Sequence, residues 1–496
     1  MSSKIILYII SLFFGAALSL AFAPFSFSLL AILSPAILLL IWRKHSHSAK
    51  ESFISGWFFG CGLFAVGASW IYVSIYNYGN APAILAFIIT ALFVGVLALF
   101  VALTGYGLQK IYPRNDLVKN LLVFPALWVL GEWLRTWVLT GFPWLFIGYS
   151  QINTPLKNVA PFLGVYGVSF VVALLSGFLV SLVTSKKVFS KLWLGLGAVL
   201  LTACCYSLGF MHFTVPEGKP IKVSLVQGNI PIEMKWDEKR TQTILNNYFK
   251  WSAEHWQSRI IVWPEAAMPV MQSQIPDFLK KLGDAAKNKG VTIVSGVVFQ
   301  PFTEDAYYNS MLAVGAEQGN YLKKHLVPFG EFLPFKSLLS WLLDFWQMPW
   351  ASFSAGPIKQ PDFILANLIV APFICYEITY PELALQYLPR AQLLLTISED
   401  GWFGHSVAAA QQLEISRMRS LETGRYQLVC ANSGITAIIK PDGSIAEKAM
   451  AFQQTVLTGE VYAYVGATPW VQYGHYLWLV LIGLCILISQ LISREV

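Results

Sequence analysis

The run Ile369-Val370-Ala371-Pro372-Phe373-Ile374-Cys375-Tyr376-Glu377 is apolar and strand-like until it stops at a cysteine, with a tyrosine and a glutamate directly behind. A buried strand that delivers a thiol to its own C-terminal end can mount a nucleophile. The thiolate is the reactive form, so such a cysteine needs a base or a cation beside it. Taken alone, Cys375 reads as a small buried hydrophobe, as most free cysteines are. The surrounding chain weighs the other way.

Around this run, 213–468 alternates short apolar stretches with helical patterns. Strands are expected at 221–227, ended by Gly228-Asn229, at 260–263, closed by Pro264, and at 291–296, 308–314, 366–374 and 392–397. Helices are expected over 237–256, 276–289 and 407–424, and a hairpin from Leu428 to Glu447 turns at Pro441-Asp442-Gly443. Strands interleaved with helices make this a mixed α/β domain.

The rest of the chain is of a different kind. Over 496 residues the mean hydropathy is +0.56 and only 12% of residues are charged, which excludes an ordinary soluble enzyme. Eight spanning helices are expected, near 5–23, 25–42, 53–75, 82–105, 120–139, 160–184, 188–211 and 471–492. The expected domains are thus 1–212, seven helices; 213–468, the polar α/β domain; and 469–496, the last helix. Residues 213–468 hold 21 Lys and Arg against 23 Asp and Glu, while the remainder holds 13 against 4. The basic excess is therefore a membrane-topology signal rather than a nucleic-acid footprint. With a cytoplasmic N-terminus, 11 of those 13 basic residues fall on the cytoplasmic side and only Arg135 and Lys157 on the other. Seven crossings then put 213–468 outside the cytoplasm. Lys4, an apolar run and Ala21-Phe22-Ala23 imitate a cleavable leader, but Pro24 directly after argues for a retained helix.

Within the membrane half, Glu132 and Arg135 share a helix face and could pair. Gly141 to Tyr149 mixes aromatics with backbone breakers, as an interfacial anchor loop would. Four of the six cysteines lie in expected spans, leaving Cys375 and Cys430, which is no disulfide scaffold. A bridge between those two is the alternative that would silence the nucleophile. The histidines and cysteines show no metal-ligand spacing.

Two further strand ends carry suitable chemistry. One is Trp263-Pro264-Glu265, whose acid could equally cap a helix or turn. The other runs from Tyr321 through Lys323, Lys324 and Leu326-Val327-Pro328-Phe329-Gly330-Glu331, and could equally be a solvated basic loop. In this order, W-P-E, Y-x-K-x-x-L-V-P-F-G-E and C-Y-E resemble the Glu-Lys-Cys triad of the nitrilase, or carbon–nitrogen hydrolase, superfamily. Together with the helices before and after, Gln227-Gly228-Asn229-Ile230-Pro231 and Asp400-Gly401-Trp402-Phe403-Gly404, the resemblance is to the apolipoprotein N-acyltransferase family and covers nearly the whole chain.

The resemblance implies an extracytoplasmic nitrilase-like αββα sandwich on a polytopic helical membrane domain, at the bacterial inner membrane with the catalytic domain periplasmic. It implies Glu265 as general base, Lys323 as cationic stabiliser and Cys375 as nucleophile, with Glu331 and Glu377 as supporting acids. Trp236 matches a tryptophan linked to lid behaviour, and Trp402 is placed with it. Glu399 before Asp400 is less familiar in that motif. Acyl transfer passes through an oxyanion, for which Lys323 and the Tyr376 N–H are the expected donors. The implied reaction takes an acyl chain from a phospholipid onto Cys375, then passes it to the α-amine of an S-diacylglyceryl-cysteine at a lipoprotein N-terminus. No metal or organic cofactor is called for, and no nucleic acid.

Phe335–Trp350 reads either as an amphipathic lid or as a helix packed on the core; if a lid, deletion of 338–347 abolishes turnover while the core folds. Two other functions compete. A membrane-tethered amidase or nitrilase giving the acyl group to water would not need eight helices. A transporter with a dead domain would carry more intramembrane charge than Glu132 and Arg135.

Overall fold

The computed structural model describes residues 2–46, 48–79, 81–111, 115–301, 306–333 and 352–494. The lid expected over Phe335–Trp350 lies outside the described residues. The chain forms two compact units. One comprises Met1–Tyr72, Pro82–His212 and Gln472–Val496; the other comprises Val73–Ala81 and Phe213–Val471.

The first unit is helical. Each expected span is occupied by helix, but the spans differ in kind. Among the described residues five helices are long and apolar enough to cross a membrane: 4–21, Ala83–Lys110, Asp116–Leu134, Pro155–Thr184 and Val188–Leu208. Ala49–Gly67 and Trp70–Asn77 meet that measure only together, bent by 57° at their junction, as a broken span or a re-entrant loop would be. Leu30–Lys44 and the helix from Tyr476 are shorter. Small residues let two of these helices touch backbone to backbone. A Cβ on Gly15 would come 1.9 Å from the Phe59 carbonyl oxygen, and one on Gly62 would come 2.0 Å from that of Leu12.

The aromatic stretch 141–149 is not the surface anchor its composition suggests. It is buried throughout, with Phe142 and Trp144 against Trp70 and Phe146 against Tyr166. The Ile147 N–H donates to the Glu132 carboxylate at 2.8 Å, and the Arg135 guanidinium lies over the rings of Phe64 and Phe146. Irregular backbone inside a helical unit needs such internal partners, since lipid offers none.

The second unit is a sandwich of two sheets. The first contains β1 (Thr214–Gln227), β2 (Ile260–Val262), β3 (Met268–Met271), β4 (Thr292–Phe299), β5 (Tyr308–Gly315), β6 (Gly319–Leu322) and β13 (Thr455–Gly466). The second contains β7 (Phe363–Leu365), β8 (Leu368–Ile374), β9 (Leu393–Ser398), β10 (Gln427–Ala431), β11 (Ala437–Ile439) and β12 (Ile445–Lys448). Alternation sends Ile260 and Val262 inward to meet Val370, Leu395 and Leu428 of the other sheet. Their neighbours Ile261 and Trp263 point outward and pack with Leu245, Tyr248 and Leu282 from helices Glu238–Ala253 and Pro276–Asn288. Helix Ala408–Thr423 covers the outer face of the second sheet through Leu413. Two buried faces per strand explain why these strands read as continuous apolar runs.

Two strand assignments differ from expectation. β1 begins at Thr214 rather than 221, crossing Pro216 and Pro220 with a register shift between Glu217 and Ile221. β13 pairs with it over the same length, unannounced because neither strand alternates cleanly there. At the centre of each sheet the strands are parallel: β1, β2 and β4 in one, β8, β9 and β10 in the other. Their C-terminal ends therefore lie at one edge of the sandwich, and the candidate residues follow those ends.

Candidate active site

Cys375 begins the 3₁₀ turn Cys375–Thr379 immediately after β8, with φ of 53°. A non-glycine residue in the left-handed region is strained, and such strain is held only where the surroundings enforce it. Glu377 enforces it here. One carboxylate oxygen accepts the Ile374 N–H at 2.8 Å; the other accepts the Lys324 and His325 N–H groups and the Tyr321 hydroxyl, at 2.7, 3.1 and 2.8 Å. The acid thus ties the cysteine turn to the segment that carries Lys323. It braces the site from beneath.

Lys323 follows β6, and its ammonium is buried between two carboxylates, 2.8 Å from Glu331 Oε1 and 3.5 Å from Glu265 Oε1. Asn309, near the start of β5, spans the same two acids: its Nδ2 donates to Glu265 Oε1 and Glu331 Oε1, both at 2.7 Å. Glu331 Oε2 accepts the Val327 N–H at 2.8 Å, and Glu265 Oε2 accepts the Glu399 N–H at 2.9 Å. Glu265 itself sits just past β2, and Ala266 beside it has φ of 49°. That turn lies hard against β4, because a Cβ on Gly296 would come 2.5 Å from the Ala266 nitrogen.

The electrostatics follow from crowding. Burial pushes the Cys375 thiol well above its ordinary range; Glu265 adds to the rise and Lys323 opposes it. Burial raises the Glu265 carboxyl too, with Lys323 offsetting part and Glu331 adding to it. For Lys323 burial works against the charge, but Glu331, Glu265 and Cys375 outweigh it and hold the ammonium protonated. A protonated lysine therefore stands beside a thiol and an acid whose proton affinities burial raises.

Tyr376 lies in the turn with its ring edge-on to Tyr380 and near His325. Cys375 and Cys430 are both free thiols. Trp236 and Trp402 lie with Tyr78 on a cavity of about 880 Å³ that Glu233, Asp237, Glu238 and Lys239 also line. The Ser74 hydroxyl donates to the Trp402 carbonyl at 2.8 Å, and the Tyr78 ring stands edge-on to Trp402. The structure thus gathers Glu265, Lys323, Cys375, Glu331 and Glu377 at one edge and brings the two tryptophans together on the cavity.

Sequence reasoning missed Asn309, which sits unmarked in a strand. It also missed what Glu399 does: this acid forms a buried ion pair with Lys235 and accepts N–H groups from Gly401 and Asn432. The only signal was an acid where the motif is less familiar with one.

Comparison with known proteins bears on both units. Residues 14–178 match the family model described as the apolipoprotein N-acyltransferase N-terminal domain, and 222–469 match that of carbon-nitrogen hydrolase. A protein of Coxiella burnetii named apolipoprotein N-acyltransferase is 41% identical over 94% of this chain and 96% of its own length. One of the same name from Methylococcus capsulatus is 41% identical over 95% and 92%, and one from Nitrosomonas europaea 38% identical over 96% and 95%. Similarity this extended, through the helical part and the sandwich alike, makes the chain a membrane-borne enzyme that belongs to the apolipoprotein N-acyltransferase family.

Proposed function

We propose that this chain carries out the last step of lipoprotein maturation, moving an acyl chain from a phospholipid to the α-amine of an N-terminal S-diacylglyceryl-cysteine. The observation that carries the mechanism is the Lys323 ammonium held between Glu265 and Glu331 beside the strained cysteine turn. In the first half, Glu265 takes the thiol proton and the Cys375 sulfur attacks the ester carbonyl. Lys323 and the Tyr376 N–H stabilise the oxyanion. The C–O bond then breaks, the proton passes from Glu265 to the leaving alkoxide, and a lysophospholipid departs from a thioester. In the second half the lipoprotein amine attacks the thioester and gives a proton to Glu265. The amide forms, and the Cys375 thiolate leaves and is reprotonated. The scheme is ping-pong, and nothing but the two substrates is consumed.

The raised affinity of Glu265 for a proton suits it to this duty, since a carboxylate lifted above its ordinary range takes a thiol proton more readily than an ordinary one. Residues 1–212 and 469–496 serve as the membrane parts and 213–468 as the catalytic part. The positive-inside asymmetry supports a periplasmic sandwich at the inner membrane.

Intact-mass measurement of the purified protein after incubation with phospholipid alone tests this. A hydroxylamine-labile acyl adduct is expected on the wild type, none on Cys375→Ala, with discharge by a diacylglyceryl lipopeptide amine. An adduct that water discharges and the lipopeptide does not would make the chain a hydrolase. No adduct would return Cys375 to a structural role.

A further inference from the structure

Lys235 and Glu399 form an ion pair that burial alone makes hard to justify. Both side chains are almost wholly enclosed, at 1% and 4% exposure. A buried pair is weak evidence for stability, because packed apolar groups of similar size commonly do as well. What marks this pair is where its ends lie. The Lys235 ammonium also reaches the backbone carbonyl of Glu265 at 3.4 Å, and the Glu399 N–H donates to the Glu265 carboxylate at 2.9 Å. Both partners therefore hold the same acid, one by its backbone and the other by its side chain. Lys235 closes the short helix Ile232–Lys235, and the next residue, Trp236, is 48% exposed on the cavity. Glu399 is fixed in turn by Gly401 N–H and Asn432 Nδ2, both at 3.1 Å.

We propose that Lys235 and Glu399 are positioning residues that fasten the segment bearing Trp236 to Glu265 and set the proton affinity of that acid. The inference rests on Glu265 as the base. The charged and titratable groups around Glu265 are Lys323, Glu331, Glu399, Asp400, Lys235 and Cys375. Among them the negative charge of Glu399 opposes ionisation of Glu265, and Lys235 neutralises that charge at its source. Removing the lysine exposes Glu265 to an unpaired carboxylate. Removing the carboxylate leaves it near an unpaired ammonium. The two single variants thus push the base in opposite directions. A merely structural role would slow the enzyme at every pH alike.

The test is the rate of Cys375 thioester formation from phospholipid, followed by intact mass on the full-length protein in detergent between pH 5 and 9. Lys235→Met is expected to move the acidic limb up by about one pH unit, and Glu399→Gln to move it down, charge effects of this size being usual at such range. The double variant Lys235→Met/Glu399→Gln, which leaves no buried charge, is expected to bring the limb back near that of the wild type. Hydrogen exchange of 232–237 is expected to quicken at least tenfold in Lys235→Met and to remain slow in Lys235→Arg. Superimposable pH profiles across the wild type, Glu399→Gln and the double variant would overturn the proposal, whether or not Lys235→Met folds. Glu265→Gln serves as the separate control. If it forms thioester at the wild-type rate, the assignment of the base itself fails; if it is inactive and the profiles do not move, only the positioning role fails.

Discussion

Cys375 and Cys430 are two free thiols in neighbouring parts of one sheet, and they have opposite characters. Cys430 lies within β10, wholly enclosed, and its Sγ donates to the carbonyls of Val226 and Val262 in the facing sheet at 3.5 and 3.4 Å. Burial raises its pKa, and a contact with the Val226 backbone opposes the rise only in part. Cys375 lies one residue beyond the end of β8, 8% exposed, on a strained turn braced by Glu377 and facing Lys323 and Glu265. Burial acts on both. Of the two, only Cys375 has a carboxylate, Glu265, and an ammonium, Lys323, acting on it, and that depends on position at a strand end.

The sharpest way to break this contrast is to exchange roles. Cys375→Ala is expected to abolish thioester formation, while Cys430→Ala keeps it and costs stability of about 1 kcal/mol, read from denaturant unfolding. Iodoacetamide should label Cys375 in the folded protein and Cys430 only after unfolding, seen by peptide mass. Any thioester surviving in Cys375→Ala would end the comparison.

Next in size, Lys323→Met removes the cation and, on the proposed mechanism, one oxyanion donor, and is expected to lower the acylation rate by on the order of 10²–10³. If the rate falls less than tenfold, the cation does not distinguish the two thiols. Glu377→Gln probes the brace. An amide cannot accept all four donors, so we expect a loss of about 1–3 kcal/mol in stability and a smaller drop in rate than for Lys323→Met.

The smallest effect concerns Asp400, whose charge bears on Cys375. Burial lifts its carboxyl to about 7, a Ser398 hydrogen bond opposing and Glu399 adding to the rise. The unfolded value is about 3.9. A folded pKa above the unfolded one means the stabilisation is complete below about pH 4 and is lost as pH rises through about 7. The melting temperature of the wild type should therefore fall more between pH 5 and 8 than that of Asp400→Asn. Parallel melting curves would remove Asp400 from the cysteine's surroundings.

Much of this was legible before any coordinates. Helices and strands leave periodic traces, so the α/β part and the helical part separate on the page. The three strand-end motifs name Glu265, Lys323 and Cys375 in order. Where periodicity was interrupted the reading lost its grip: the prolines of β1 hid its first half, and the lack of clean alternation hid β13. Composition misled at 141–149, since aromatics and breakers serve a membrane surface and a buried irregular segment equally well.

By itself, then, the chain determined its class of architecture, its motif order and the identity of the residues gathered at the strand ends, because these depend on local pattern and residue type. Only the tertiary structure decided that Cys375 is strained and Cys430 is not, that Asn309 joins two acids, that 73–81 belongs with the sandwich, and that Lys235 meets Glu399. Those relations join residues far apart in sequence, brought together by parallel strands ending at a common edge. No local pattern records which side chains meet there.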